Sequence, residues 1–144
     1  MTPRKLLAIA FVLFAALGVN GANKEDAVAA RRTALDLAGA FSNDGFKIRD
    51  GHWTGTIAPK EKAIIAVNLY AGNEYWFSAG GTEAAKKLGV DIFDEAGNPI
   101  SAEVYSDGDK AAAGFSPVNS GQYFISVGLL EGEPGSVCLV YSYK

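Results

Sequence analysis

The sequence predicts a mainly β fold, an antiparallel β-sandwich of about eight strands with one N-terminal helix packed on a sheet. Two observations predict the sandwich. After Phe46, short segments such as Val90–Asp94 alternate apolar and polar residues, which is typical of strands with one buried face. Gly, Asn and Asp separate these segments roughly every eight to twelve residues, the turn spacing of sandwiches and barrels. Before Phe46, apolar residues instead recur at helical spacing, which predicts the helix.

Alternation and turn residues together define the candidate strands. They are His52–Ile57, Lys62–Tyr70, Glu74–Ala79, Val90–Asp94, Ile100–Tyr105, Ala111–Phe115, Gln122–Gly128 and Ser136–Tyr143. The short turn Ala71-Gly72-Asn73 predicts that the strands on either side of it form a hairpin. Segment 80–89 shows no clear alternation, and we interpret it as either one helical turn or a mobile loop.

Residues 23–45 are predicted to form the helix and the turn that ends it, with residues 46–144 as the sandwich domain. Asn23 can cap the helix, and acidic residues follow in the first turn, where carboxylates favour the positive end of the helix dipole. The apolar stripe consists of Ala27, Ala30, Ala34, Leu37 and Phe41. Asn43-Asp44-Gly45 is expected to end the helix.

Residues 1–22 have the pattern of a secretory signal peptide. The basic pair Arg4 and Lys5 precedes an apolar run, Leu6–Val19, and small residues follow at its exit. The run is shorter than the roughly 20 residues that a membrane-spanning helix needs. We therefore expect cleavage near Ala22 and a secreted or periplasmic protein without a membrane segment.

The overall charge argues against some classes of partner. The chain carries 16 acidic and 13 basic residues, a net charge of −3. Such a surface repels phosphate backbones, so we expect no nucleic-acid partner.

Cys138 is the single cysteine, which excludes an intrachain disulfide. It lies within an apolar strand and is predicted to be a small buried hydrophobe.

Three motifs follow one another between Gly51 and Tyr143. Residues 68–77 read NLYAGNEYWF, residues 92–98 read IFDEAGN, and Phe115-Ser116-Pro117 is followed by SGQYFISV at 120–127. In this order they resemble the L-x-A-G-x-x-Y-x-F hairpin, the V-Y-D-x-x-G-N turn and the F-x-P…S-G-x-Y-x-V-x-V close of bacterial pre-peptidase C-terminal domains. The resemblance implies a jelly-roll-like sandwich that serves exported enzymes as an accessory or binding module.

The chain departs from this family in two respects. A helix takes the place of the catalytic domain that such modules usually accompany. The family's acidic D-x-D before the second motif is replaced by Lys87-Leu88-Gly89. Because both carboxylates are missing, we expect no calcium site there. The acidic turns at Asp94 and Asp107 are interpreted as ordinary turns, not as metal ligands.

The sequence contains no constellation that indicates catalysis. His52 is the only imidazole and lies beside Trp53, where a packed or surface role is the simpler interpretation. No nucleophile elbow and no set of zinc ligands is present. We therefore predict no enzymatic activity, no catalytic residues, no metal and no cofactor.

Outward-facing aromatic residues are the candidate ligand-binding side chains. If Tyr75 and Phe77 face the core, Trp76 faces out, because side chains alternate along a strand. The same reasoning places Phe124 outward. Other outward apolar residues, Ile64, Cys138 and Val140, imply a second apolar face that the helix is expected to cover. Either the helix or a ligand then covers Trp76. The candidate ligand-binding residues are Trp76, Trp53 and Phe124, with Trp76 or Trp53 as the platform for a ligand.

These observations favour a non-catalytic binding or accessory module for a protein or polysaccharide partner at the cell envelope. A structural or assembly subunit is the alternative, and it would pair with another chain through an exposed strand edge or an apolar patch. Exposed aromatic residues stacked in a groove would favour sugar, and a flat apolar patch or a free edge would favour protein.

Overall fold

The computed structural model describes residues 24–49 and 53–144. The predicted signal peptide, residues 1–22, lies outside the described residues, as do the predicted helix cap Asn23 and His52. Helix α1 spans Lys24–Ser42. The strands are β1 (Lys47–Ile48), β2 (Trp53–Ile57), β3 (Lys62–Leu69), β4 (Tyr75–Gly81), β5 (Ala85–Phe93), β6 (Pro99–Ile100), β7 (Glu103–Asp107), β8 (Lys110–Phe115), β9 (Gly121–Gly132) and β10 (Gly135–Tyr143).

The strands form two antiparallel sheets that face each other, which confirms the predicted sandwich. One sheet has the order β1-β10-β4-β8-β7, with β2 also paired to β10, and the other has the order β3-β9-β5-β6. The core lies between them and is filled by alternate side chains of the central strands, among them Phe77, Leu88, Ile125 and Leu139, all of which are buried. Tyr75 and Phe77 face this core, as alternation predicted.

Helix α1 covers the outer face of the six-stranded sheet. Ala30, Ala34 and Ala38 are fully buried there and pack against Cys138 and Val140 of β10. Gly80 of β4 lies so close to the helix that a Cβ atom would meet the backbone of Ala34. The apolar stripe in the sequence is therefore the packing face of α1, and small side chains on both elements permit the close approach.

The predicted hairpin at Ala71-Gly72-Asn73 is wrong. Strand β3 pairs with β9 in the four-stranded sheet, whereas β4 pairs with β10 and β8 in the six-stranded sheet. The chain thus crosses from one sheet to the other at this turn. The turn residues do reverse the chain, but a short turn alone does not determine whether the flanking strands share a sheet.

Segment 80–89 is neither a helical turn nor a mobile loop. It contains the end of β4, a tight turn at Thr82, and the start of β5 at Ala85. Register shifts on both sides of Lys87 leave Lys86 and Lys87 exposed while Ala85 and Leu88 are buried. These bulges break the period-two alternation, which is why the strand was not predicted from the sequence.

Two further predictions need correction. The single strand predicted at Ile100–Tyr105 is divided, because β6 pairs with β5 in one sheet and β7 pairs with β8 in the other. Ile64, expected beneath the helix, lies on the four-stranded sheet and is 59% exposed. The helix covers only the outward residues of the six-stranded sheet.

Candidate binding surface

Trp76 is held between the helix and the sheet. Its ring stacks on Phe41 of α1, with ring centroids 4.3 Å apart and an interplanar angle of 9°. On the sheet, it lies over Gly114, where a Cβ atom would come within 2.8 Å of the indole. Trp76 is consequently half-buried, and α1 covers the face of the indole that points away from the sheet.

The three aromatic candidates do not form one platform. Trp53 packs at the margin of the core, on a strand of the six-stranded sheet. Phe124 lies on the outer face of the four-stranded sheet, where its cross-strand neighbours are Ala66 and Phe93. Trp76 is on the opposite outer face, beneath α1. The structure thus places Trp76, Trp53 and Phe124 in three separate environments.

A groove of about 450 Å³ opens beside the exposed margin of Trp76. Its aromatic lining residues are Phe46, Tyr75, Trp76 and Phe115, and its acidic residues are Glu74 and Glu103. We call it the Trp76 groove. It combines aromatic surface with negative charge, and it ends where strand β7 begins.

One end of the sandwich is built from three loops, at residues 70–74, 94–98 and 116–120, which we call the loop end. Two side-chain hydroxyls, of Tyr75 and Ser120, accept hydrogen bonds that hold these loops in place. The Tyr75 hydroxyl accepts a hydrogen bond from Tyr70 N at 2.9 Å and lies 3.1 Å from Asn73 Nδ2, which also donates to it. Ser120 Oγ accepts a hydrogen bond from Ala71 N at 2.8 Å, joining two of the loops.

The other loops at this end are also held by hydrogen bonds. The Tyr123 hydroxyl donates to Asn119 O at 2.6 Å. Asp94 Oδ1 accepts a hydrogen bond from Asn98 N at 2.8 Å, and this bond is the main cause that lowers the pKa of the Asp94 carboxyl. The Asp94 turn is therefore an Asx-type turn, as the sequence suggested.

Two large hydrophobic side chains of the loop end project into solvent. Val118 is 85% exposed and Tyr70 is 52% exposed. Neither residue was predicted as a site residue. The sequence did contain a signal at Val118, since it is an apolar side chain within the loop Ser116-Pro117-Val118-Asn119-Ser120, where polar residues are usual. The exposed pair and the hydrogen-bonded loops form a candidate docking surface.

The described residues contain little that resembles catalytic chemistry. Cys138 is fully buried under the helix, as predicted, and burial raises the pKa of its thiol, so it is a poor nucleophile. Over residues 24–49 and 53–144, no three His, Cys, Asp or Glu side chains lie close enough together to hold a metal ion. Nor does this part of the chain include a helix with the length and hydropathy to cross a membrane.

The Tyr75 hydroxyl is expected to contribute to stability through the loop end. In Tyr75→Phe, Tyr70 N and Asn73 Nδ2 lose their acceptor in a partly buried place. We expect a loss of about 1–2 kcal/mol in the free energy of unfolding. Urea denaturation measures it, with Tyr105→Phe, an exposed tyrosine on β7, as the control. Equal stability of Tyr75→Phe and the parent would contradict the role given to these hydrogen bonds.

Comparison with solved structures gives several matches of low sequence identity. A periplasmic inhibitor of g-type lysozyme from Aeromonas hydrophila, PliG, matches with a TM-score of 0.50 and 21% identity, over 65% of this chain and 85% of that chain. A structure described under "CBM4 structure and function" matches with a TM-score of 0.39 and 21% identity, over 71% of this chain and 78% of that chain. A de novo designed double-stranded β-helix matches with a TM-score of 0.37 and 14% identity, over 65% of this chain and 99% of that chain.

At these identities the likeness to PliG concerns the fold, and it supports the β-sandwich described above. No protein-family model matches the chain. No curated protein matches it either. The chain is thus placed among β-sandwich proteins by its fold, without assignment to a sequence family.

Proposed function

We propose that this chain is an exported, non-catalytic binding module that docks a protein partner through the loop end. The observation that carries the proposal is the exposure of Val118 on a loop whose neighbours are fixed by hydrogen bonds. Exposed apolar side chains on a rigid support can bury their surface in a partner pocket with little loss of conformational freedom. Tyr70 adds a second anchor with a polar tip.

A protein partner is favoured over a polysaccharide by the arrangement of the aromatic side chains. Sugar recognition by stacking needs an aromatic face that is open to solvent. One face of Trp76 is occupied by Phe41 and the other by the sheet at Gly114. Trp53 packs at the margin of the core and Phe124 lies on the other sheet, so neither extends that platform. The loop end offers apolar side chains instead, which suit a protein pocket.

Export and the accessory role are part of the same proposal. The basic, apolar and small-residue pattern of residues 1–22 supports secretion or a periplasmic location. The resemblance to pre-peptidase C-terminal domains supports an accessory role without catalysis. The fold likeness to a periplasmic lysozyme inhibitor indicates which partner to test first, namely a g-type lysozyme.

The experiment titrates purified protein, beginning at Lys24, against the cell-wall hydrolysis catalysed by a g-type lysozyme. We expect the hydrolysis rate to fall as the module is added, with a measurable dissociation constant. In Val118→Asp, a charge replaces the anchor, and we expect binding to weaken at least about tenfold, since a central apolar anchor contributes about 2 kcal/mol or more.

Val28→Asp is the matched control. Val28 is also an exposed valine, at 59%, but it lies on α1, away from the loop end. It should bind the lysozyme as the parent does. Equal weakening in both variants would show that charge alone matters and would contradict the loop end as the docking surface. Absence of inhibition would exclude this class of enzyme as the partner.

A further inference from the structure

Over residues 24–49 and 53–144, no strand pairs with the outer edge of β7. This strand lies at the end of the strand order and pairs only with β8 among the described strands. All five of its residues, Glu103–Asp107, are exposed. Such an edge presents unpaired N–H and C=O groups to which an extended segment of another chain can add.

The charges on β7 indicate what kind of segment fits. Glu103, Tyr105 and Asp107 share one face of the strand because side chains alternate. If two copies of β7 paired antiparallel about Tyr105, Glu103 of one copy would lie opposite Asp107 of the other. Like charges directly opposite each other destabilise a strand pair. A segment that carries lysine or arginine at alternate positions would instead face carboxylates. Glu103 has a glycine as its neighbour on β8, whereas Asp107 has Lys110, so Glu103 is the stronger attraction.

The Trp76 groove continues this surface beyond the start of β7. Glu103 belongs to both, and Glu74, Phe46 and Trp76 complete the groove on its other side. None of the described residues that line the groove is basic. The carboxylates attract an ammonium or guanidinium group by its charge, and the alkyl stem of a lysine or arginine can pack along the edges of the aromatic rings.

The chain already uses this chemistry at the margin of the groove. Lys144 Nζ lies 5.2 Å from the centre of the Phe46 ring and 3.9 Å from Glu74 Oε2. Two residues that line the groove therefore hold a lysine of the same chain from one side. The remaining carboxylate, Glu103, has no ion-pair partner among the described residues.

We propose that β7 and the Trp76 groove together bind an extended basic segment of a partner protein. The segment adds to the sheet as a strand beside β7, and one of its lysine or arginine side chains enters the groove between Trp76 and Glu103. Backbone hydrogen bonds provide the pairing, and the carboxylates select the basic sequence. The groove borders the loop end at Glu74 and Ser116, but this proposal makes no use of Val118.

The probe is a peptide of alternating lysine and valine, about ten residues long and blocked at both ends. We expect it to bind the protein in a titration calorimeter and to shift the backbone amide resonances of β7. In Glu103→Lys/Asp107→Lys we expect affinity to fall at least about tenfold, because charge attraction becomes repulsion. Glu103→Gln/Asp107→Asn should give a smaller loss.

The control variant makes the same change in charge elsewhere. Glu131→Lys/Glu133→Lys replaces two exposed carboxylates at the end of β9, in the four-stranded sheet, and should reduce affinity less than about threefold. A second peptide, with proline in place of valine and a methyl group on each lysine backbone nitrogen, keeps the charge but has no backbone N–H to donate to a sheet edge, and it should bind at least about tenfold more weakly.

Four results would overturn the proposal. They are an absence of binding, equal binding of a peptide with glutamate in place of lysine, equal losses in the two lysine double variants, and equal binding of the proline peptide. The last two would indicate general attraction to an acidic protein without strand addition. Retention of the parent's circular dichroism spectrum verifies that each variant is folded.

Discussion

The substitution Gly80→Ala is expected to destabilise the protein by about 3 kcal/mol or more, because it would drive a methyl group into the backbone of helix α1. A Cβ atom at Gly80 would meet the backbone nitrogen of Ala34 and lie 2.8 Å from the carbonyl oxygen of Ala30. Backbone atoms cannot turn aside as the end of a flexible side chain can. The helix would have to move away from β4, and the buried contacts of Ala30, Ala34 and Ala38 would loosen with it.

Urea denaturation measures this loss as a lower midpoint at unchanged slope. Gly121→Ala is the matched control, since it makes the same change in a strand where no atom would lie within 4 Å of the added Cβ. It should change stability by less than about 1 kcal/mol. If Gly80→Ala is as stable as Gly121→Ala, the helix does not pack on the sheet in the way described.

The second large effect is expected for Trp76→Ala. Removal of the indole leaves a space between Phe41 and Gly114, and we expect the free energy of unfolding to fall by about 3 kcal/mol. Part of this effect belongs to the stacked pair. A double-mutant cycle with Phe41→Ala should therefore give a coupling energy of about 1 kcal/mol.

Phe124→Ala is the reference for that cycle, because Phe124 lies on the other sheet. The losses of stability in Trp76→Ala and Phe124→Ala should simply add in the double variant.

Acrylamide quenching provides an independent test. In a Trp53→Phe background, which leaves Trp76 as the only tryptophan, fluorescence should be quenched slowly. Rapid quenching together with a stable Trp76→Ala protein would mean that the indole faces solvent and a ligand.

The sequence predicted the parts of the fold that depend on local periodicity. Alternation at Tyr75, Trp76 and Phe77 gave the correct inward and outward directions, since period two is a property of a single strand. The spacing of Ala30, Ala34 and Ala38 likewise indicated the buried face of α1. Each of these signals lies within one element and needs no knowledge of its neighbours.

The pairing of strands could not be predicted in the same way. Ala71-Gly72-Asn73 reverses the chain whether or not the next strand joins the same sheet. The crossing between sheets is determined by partners that are distant in sequence, since β3 pairs with β9 and β4 pairs with β10. The bulges around Lys87 hid β5 because they interrupt its alternation.

The candidate site was predicted only in part. Trp76 was identified as an outward aromatic residue, and its position beside a groove depends on how α1, β7 and β8 come together. Val118 was not identified, because a single apolar residue in a loop has no periodicity to mark it. Its exposure depends on the folded path of the loop, in which Ser120 and Asn119 make hydrogen bonds to distant parts of the chain or to Tyr123.

Photo-crosslinking from the loop end tests the proposed function most directly. The photoreactive residue p-benzoylphenylalanine is introduced at Val118 and, in a matched protein, at Val28, and both proteins are produced in the native host. We predict a covalent adduct with one protein from position 118 and none from position 28. An excess of the parent protein without the photoreactive residue should suppress the adduct, whereas the same excess of Val118→Asp should not. Equal adducts from both positions, or no protein adduct from position 118, would contradict the loop end as a protein-docking surface.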